Sequence, residues 1–399
     1  MGIYDLDLYR AIRGESGSFV FSPYSIMDCI TLAYDGMSEE AKAALCNAGV
    51  TPDVISSFAA LDDKAKQMKS LQIANKIYVN KARTANFRTE LIRSDASEQV
   101  SINEGTRLMI NKWISGQTNG KIEDLIPAGA VTEEMAMLIA NAVWMKQSWA
   151  DSCDQGYVKW KADKKKYKAF EGSSDNTIAR DIDGVTILRL SYDPEDTTGS
   201  GDVPSMSMYI VTEDRRGGRT PDEWIAAGPD LDATFNFGDY ESLNDCTDVD
   251  YTVPCFKTEF KDEVIHAIRK IGLSDVLTGN AYKKIGDMAV DSIYHGAFIK
   301  VDENGTEAAS ATAEVSVLGL PPDYTKIVRR KIVVNRPFVF AIVEDTSRQI
   351  LFMGRCDTDA MEEYTEDDDR HYQAREAAEQ KIREHAKLIH ANKRNHGDY

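Results

Sequence analysis

The 399-residue chain has no run of about 18 apolar residues, so no membrane-spanning helix is expected. Its opening, MGIYDLDLYRAIRGESG, lacks the basic and apolar regions of a signal peptide. A cytoplasmic location, or release without a visible signal peptide, is therefore expected. Cysteine is sparse: the six stand singly at 29, 46, 153, 246, 255 and 356 with no CxxC, which reads as free thiols in a reducing compartment. The one N-x-S/T sequon is Asn304-Gly305-Thr306. Histidine is rarer still in the body of the chain, where only His266 and His295 occur; the others lie at 371, 385, 390 and 396. His385 and His390 are five apart and miss the one-face spacing of two helical ligands, so no metal is expected. There is no G-x-S-x-G elbow, and GESGSF has no P-loop lysine. With neither nucleophile signature nor cofactor signature, the chain does not read as an enzyme. A net charge of −18 argues against nucleic acid and anionic membrane as partners. The basic runs KKKYK (164–168) and RRGGR (215–219) read as solvated strand ends or turns.

What is present divides into two compositions. YDLDLYRAIR and SPYSIMDCITLAYDGMSEEAKAAL carry apolar residues at helical spacing, and NEGTRLMINKWISGQTNGKIEDLIP is a helix ended by Asn119-Gly120. EEMAMLIANAVWM is the most continuously apolar run, and its second half predicts a central strand. From 153 to 260 the pattern predicts antiparallel strands, followed by a short helix in DEVIHAIRKIG; strand character returns over 292–301 and 331–355. Beyond Cys356 the composition turns sharply polar: DTDAMEEYTEDDD reads as an acidic linker and the rest, to 399, as a helical or disordered extension. One stretch resists ordinary packing. ENGTEAASATAEVSV (303–317) places small residues between two strand-like runs, where they would bury little area.

Several ordered blocks together resemble the serpins, the serine protease inhibitor superfamily. FVFSPYSI (19–26), INKWISGQTNGKIEDLIP (110–127), LIANAVWMKQSW (138–149), VPCFKTEF (253–260), IGLSDVL (271–277), HGAFIKVDENGTEAASA and NRPFVFAIVEDTSRQILFMGRC (335–356) carry the resemblance. It implies an α+β serpin domain over 1–356, with three β-sheets, eight or nine helices and an exposed reactive centre loop, and with 357–399 appended. It also implies the activity: a serine protease acylates the loop, and the freed strand inserts into the large sheet and traps the enzyme covalently.

On that resemblance the hinge is Glu303, Gly305, Thr306, Glu307, Ala308, Ala309, Ser310, Ala311 and Thr312, small enough to slip between strands. The reactive bond falls at Gly319-Leu320, or at Leu318-Gly319 in a loop one residue shorter; Leu318 suits chymotrypsin- or cathepsin G-like enzymes, and Gly319 elastase-like ones. Strand alternation puts Glu314 on the inserting face, where a carboxylate is costly. Ser22, Ser25, Asn141 and His295 match the latch of the sheet, and Lys146 and Trp149 its upper end. Ser18, Cys153 and Cys356 depart from the family pattern at scaffold positions. The chain is short between VISSF and SLQIANKIY, so the basic helix of heparin-activated members is expected to be reduced or absent, and a glycosaminoglycan partner is not expected. A monomer is expected. The competing readings are a non-inhibitory carrier, chaperone or storage protein on the same fold, and cross-class inhibition of a papain-like cysteine protease.

Overall fold

The computed structural model describes residues 3–14, 16–83, 87–174, 178–194, 204–214, 217–235, 245–246, 249–286, 288–307, 330–370 and 373. Within these residues the strands collect into three sheets. In the large sheet, β2 (Leu71–Asn80) lies between β3 (Ser97–Val100) and β4 (Met137–Met145), and β14 (Val290–Asp302) runs parallel to β4. β13 (Phe256–Glu263) pairs antiparallel with β14. A two-residue strand, β15 (Gly305–Thr306), stands between the end of β14 and β5 (Gln147–Ser148). A four-stranded sheet has the order β16 (Arg330–Val333), β12 (Val249–Pro254), β7 (Lys166–Ser174), β6 (Asp154–Lys159). The third runs β1 (Phe19–Phe21), β18 (Ile350–Cys356), β17 (Phe338–Glu344), β10 (Met206–Glu213), β9 (Val185–Ser191), β8 (Ile178–Ile182), β11 (Asp245–Cys246).

The helices are α1 (Ile3–Ile12), α2 (Pro23–Thr31), α3 (Glu39–Asn47), α4 (Pro52–Ala65), α5 (Glu104–Gln117), α6 (Pro221–Ala226), α7 (Leu231–Phe235) and α8 (Ile265–Lys270). Every residue of β4 is buried, as a run apolar at all but Asn141 predicts for a strand covered on both faces. One cover is α5 with the segment behind it: Ile110, Ile114, Ile122 and Leu125 pack on Ala142, Trp144 and Phe298. On the opposite side α2, itself wholly buried, touches β2, β4 and β18.

Three sequence expectations are revised. The stretch from Ser22 to Leu45, read as continuously helical, is broken after Thr31 by a single-turn helix, Tyr34–Gly36, and Ser38 then caps α3 by accepting from Ala41 N at 3.3 Å. Close packing keeps glycine at the end of that turn, because a Cβ on Gly36 would stand 2.2 Å from Ile285 Cγ1. A helix runs through VISSF and stops short of SLQIANKIY: α4 spans 14 residues, and what it lacks is basic charge, carrying Asp53, Asp62 and Asp63 against Lys64. Finally, the KKKYK run is not merely solvated. Residues 361–369 lie along β7, where Lys168 N donates to Glu362 O at 3.0 Å and Tyr364 N to Lys166 O at 2.9 Å. Lys165 pairs with Glu363, Lys166 with Asp369, and Lys168 with Glu362 and Asp368. Lys166 Nζ also sits 4.0 Å from the Tyr157 ring centroid, beside Tyr364.

Candidate functional site

The site is a seam between two parallel strands. β4 and β14 pair rung by rung from Met137 and Val290 up to Trp144 and Phe298, with Asn141 opposite His295. Above that point they part, and β15 fills the gap: Thr306 faces Val301 on one side and Gln147 on the other. The distance from the His295 rung to the Val301 rung is about 20 Å along the strand.

The lower half of the seam is held by a buried polar cluster. Ser22 is the N-cap of α2, and its hydroxyl accepts from Ser25 N at 3.0 Å, as expected for serine before Pro23 at the first helical position. Its own N–H donates to His295 Nε2 at 3.0 Å. That nitrogen must therefore hold a lone pair, and the neutral ring donates from Nδ1 to Asn141 Oδ1. The Asn141 amide in turn donates to Ser25 O at 3.0 Å, to Ser25 Oγ and to Asn75 Oδ1. His295 is fully buried, and burial alone pushes its pKa from 6.5 down to about 3. The imidazole is thus uncharged at neutral pH and ties α2 to both strands of the seam. The four expected latch residues, Ser22, Ser25, Asn141 and His295, are in one network, and Asn75 joins them.

The upper half is aromatic. Trp149 stacks between Tyr192, at 4.6 Å between centroids, and Phe170, at 5.5 Å, and donates to Asp302 O at 2.9 Å. The Tyr192 hydroxyl meets Thr306 Oγ1 at 2.6 Å. Gly305 has φ +131°, and a Cβ there would lie 2.1 Å from Gln147 O, so only glycine fits the entry point. Glu307 is anchored by an ion pair to Lys121 at 2.5 Å and accepts from Trp144 Nε1. Glu303 accepts from Gln155. Lys146 is exposed and its backbone N–H donates to Ser70 O at 2.6 Å, so its side chain stands outside this cluster. Ala308, Ala309, Ser310, Ala311, Thr312, Glu314 and the bond-bearing Leu318, Gly319 and Leu320 lie outside the described residues.

Comparison with known proteins gives a match to the family described as "Serpin (serine protease inhibitor)" over residues 4–358. The chain is a serpin. A human leukocyte elastase inhibitor is 26% identical over 88% of this chain and 96% of its own length. A serpin-like protein of Methanosarcina acetivorans is 26% identical over 89% of this chain and 85% of the relative. Among solved structures, the thermophilic serpin tengpin in its native state superposes with TM-score 0.70 at 19% identity, covering 89% and 93% of the two chains. Uncleaved ovalbumin does so with TM-score 0.70 at 16% identity, covering 88% and 97%.

The departures from the serpin pattern are absorbed locally. The Ser18 hydroxyl accepts from Asp357 N at 2.8 Å, Cys153 Sγ lies 3.2 Å from Tyr251 OH, and Cys356 is buried. Sequence reading missed Asn75, Lys121, Trp144 and Tyr192. Each sits in a different strand or loop from the residue it serves, so nothing in local spacing reveals it. Among the described residues no cluster of three His, Cys, Asp or Glu side chains could hold a metal ion.

Proposed function

We propose that this serpin is a suicide-substrate inhibitor of a serine protease with a chymotrypsin-, cathepsin G- or elastase-like pocket. The observation that carries the reading is the seam. A hinge of glycine and threonine is already paired between β14 and β5, above strands held together by a neutral, releasable histidine contact. Cleavage at Gly319-Leu320 or Leu318-Gly319 frees the N-terminal side of the loop, and small side chains from Ala308 to Thr312 suit its entry between β4 and β14. About a dozen residues gaining net hydrogen bonds of ~0.5–1.5 kcal/mol release on the order of 10 kcal/mol, enough to distort a marginally stable protease. The enzyme does the chemistry: its nucleophile attacks the loop carbonyl, the amine leaves, and the ester remains because the active site is deformed before water can attack. The serpin itself is no catalyst, and it acts as a monomer bound covalently to its target. A cysteine protease would be trapped through the corresponding thioester. The acidic α4 gives no footing for a glycosaminoglycan.

A second reading, a serpin fold used for binding or storage, is favoured by Glu314, which alternation places on the inserting face. Incubation with chymotrypsin, elastase and trypsin in slight serpin excess separates the two. An SDS-stable adduct with release of a C-terminal fragment beginning at Gly319 or Leu320 is expected. A clean loop cut with no adduct and no gain in thermal stability would hand the lead to the second reading.

A further inference from the structure

Asp28 is a carboxylate in the middle of a helix that is otherwise apolar or hydroxyl-bearing, PYSIMDCIT, and it is 1% exposed. A lone buried carboxylate is costly unless it is paired. Here Arg93 Nη1 donates to its Oδ1 at 2.7 Å, and Asn75 Nδ2 donates to its Oδ2 at 2.7 Å. Arg93 is itself fixed, its backbone N–H donating to Leu32 O at 2.8 Å, and its side chain is about one-fifth exposed. Because an ionised carboxylate only accepts, Asn75 must turn its NH2 toward Asp28 and its oxygen away. That oxygen receives Asn141 Nδ2, which leaves Asn141 Oδ1 to receive the Nδ1 proton of His295, and His295 Nε2 is left open for the N–H of Ser22. Donation converges on the carboxylate: Arg93 donates to it from the surface side, and from the centre of the seam Ser22 N–H, His295, Asn141 and Asn75 each donate one step toward it.

We propose that Asp28, held by Arg93, is a positioning residue for the latch: its charge orients Asn75 and, together with the Ser25 carbonyl and the Ser22 N–H, fixes the Asn141 amide and the His295 tautomer that binds α2. The topology gives this a second consequence. Asp28 belongs to α2, whereas Asn75 on β2 and Arg93 just before β3 belong to the strands that must move with β4 when the seam widens. Asp28 therefore also restrains that movement, a role that rests on the inhibitory reading above, whereas the tautomer does not depend on it.

The test uses the full chain and Asp28→Asn. An asparagine that keeps its oxygen toward Arg93 turns an NH2 toward Asn75, and relieving that donor–donor contact flips Asn75, then Asn141, and moves the ring proton to Nε2, against Ser22 N–H. Long-range ¹H–¹⁵N spectra of histidine-labelled protein should report the Nδ1–H form of His295 in the parent and a shift toward the Nε2–H form in the variant. Uptake of an N-acetylated synthetic peptide of residues 305–317 should accelerate on the order of tenfold, the loss of about one hydrogen bond. Arg93→Lys keeps a cation beside Asp28 and should retain the parental tautomer. If Asp28→Asn does not fold, Asn75→Ala cuts the same relay one bond later and carries the same two readouts. A folded variant with the parental tautomer and uptake within about twofold of the parent overturns the proposal. A parent that takes up no peptide and gains no stability on loop cleavage overturns the inhibitory reading instead, and the tautomer measurement still decides the relay.

Discussion

Acid should loosen this molecule at a single ring. His295 accepts a proton only by turning Nε2 into a second donor facing Ser22 N–H, at a fully buried position. Its pKa is depressed from 6.5 to about 3, so below 6.5 the unfolded chain binds more protons than the native one. The contribution to stability is therefore fully present above 6.5 and is lost as the pH falls toward 3. At ~1.4 kcal/mol per unit, about 2 kcal/mol is gone near pH 5, and the whole interval amounts to about 5 kcal/mol. Asp28 works the other way: burial raises its carboxyl pKa, so protonating it in the native state adds stability as the pH falls. Comparing the parent with His295→Gln cancels that opposing contribution. Urea unfolding followed by tryptophan emission at about pH 7 and about pH 5 should show the variant weaker at neutral pH, with the gap closing by ~2 kcal/mol in acid. Parallel pH curves for the two proteins would refute the argument that the buried ring sets the acid sensitivity.

Three further outcomes follow from the geometry. Gly305→Ala puts a Cβ into Gln147 O at a strained φ and should cost about 1–3 kcal/mol of local order, read as faster hinge cleavage by a nonspecific protease and altered Trp149 emission. Glu307→Gln removes a partly buried ion pair to Lys121, so the 305–317 peptide should enter several-fold faster, measured by native gel shift; an unchanged rate would mean that the Lys121 contact does not hold the hinge. Iodoacetamide at pH 8 should label exposed Cys46 quickly, while Cys153, pushed up to about 11 by burial, and the buried Cys29 and Cys356 should react only on unfolding, as mapped by peptide mass.

The fold was legible because its signals are repeated and ordered. The apolar run through Met145 and the Asn119-Gly120 stop each report local chemistry that the structure retains. The latch residues could be named for the same reason, each lying in a recognisable block. The packing at Gly36 that accompanies the break after Thr31 could not, because its neighbour is Ile285, more than two hundred residues away. Nor could the anchoring of Glu307, where Lys121 and Trp144 arrive from a loop and a strand distant in sequence. Asp28 left the clearest unused signal, since an acid inside SIMDCIT has to be answered by something. The acidic run after Cys356 reads as linker because charge patterns reveal solubility readily and complementarity only when both partners are in view; its partner was the lysine run of β7.

The two residues of β15 change the kinetic character of whatever happens at the seam. A strand arriving from solvent would first have to find its groove and surrender the entropy of closing a loop before any rung rewarded it. On the inhibitory reading, Thr306 is already seated, so the ordering step is complete and only elongation remains, like a zip whose slider is engaged at the top. On that reading each further rung would advance ~3.3 Å and replace one rung between β4 and β14. On the inhibitory reading the first teeth to part are Trp144 and Phe298, and the His295 latch lies three rungs below them.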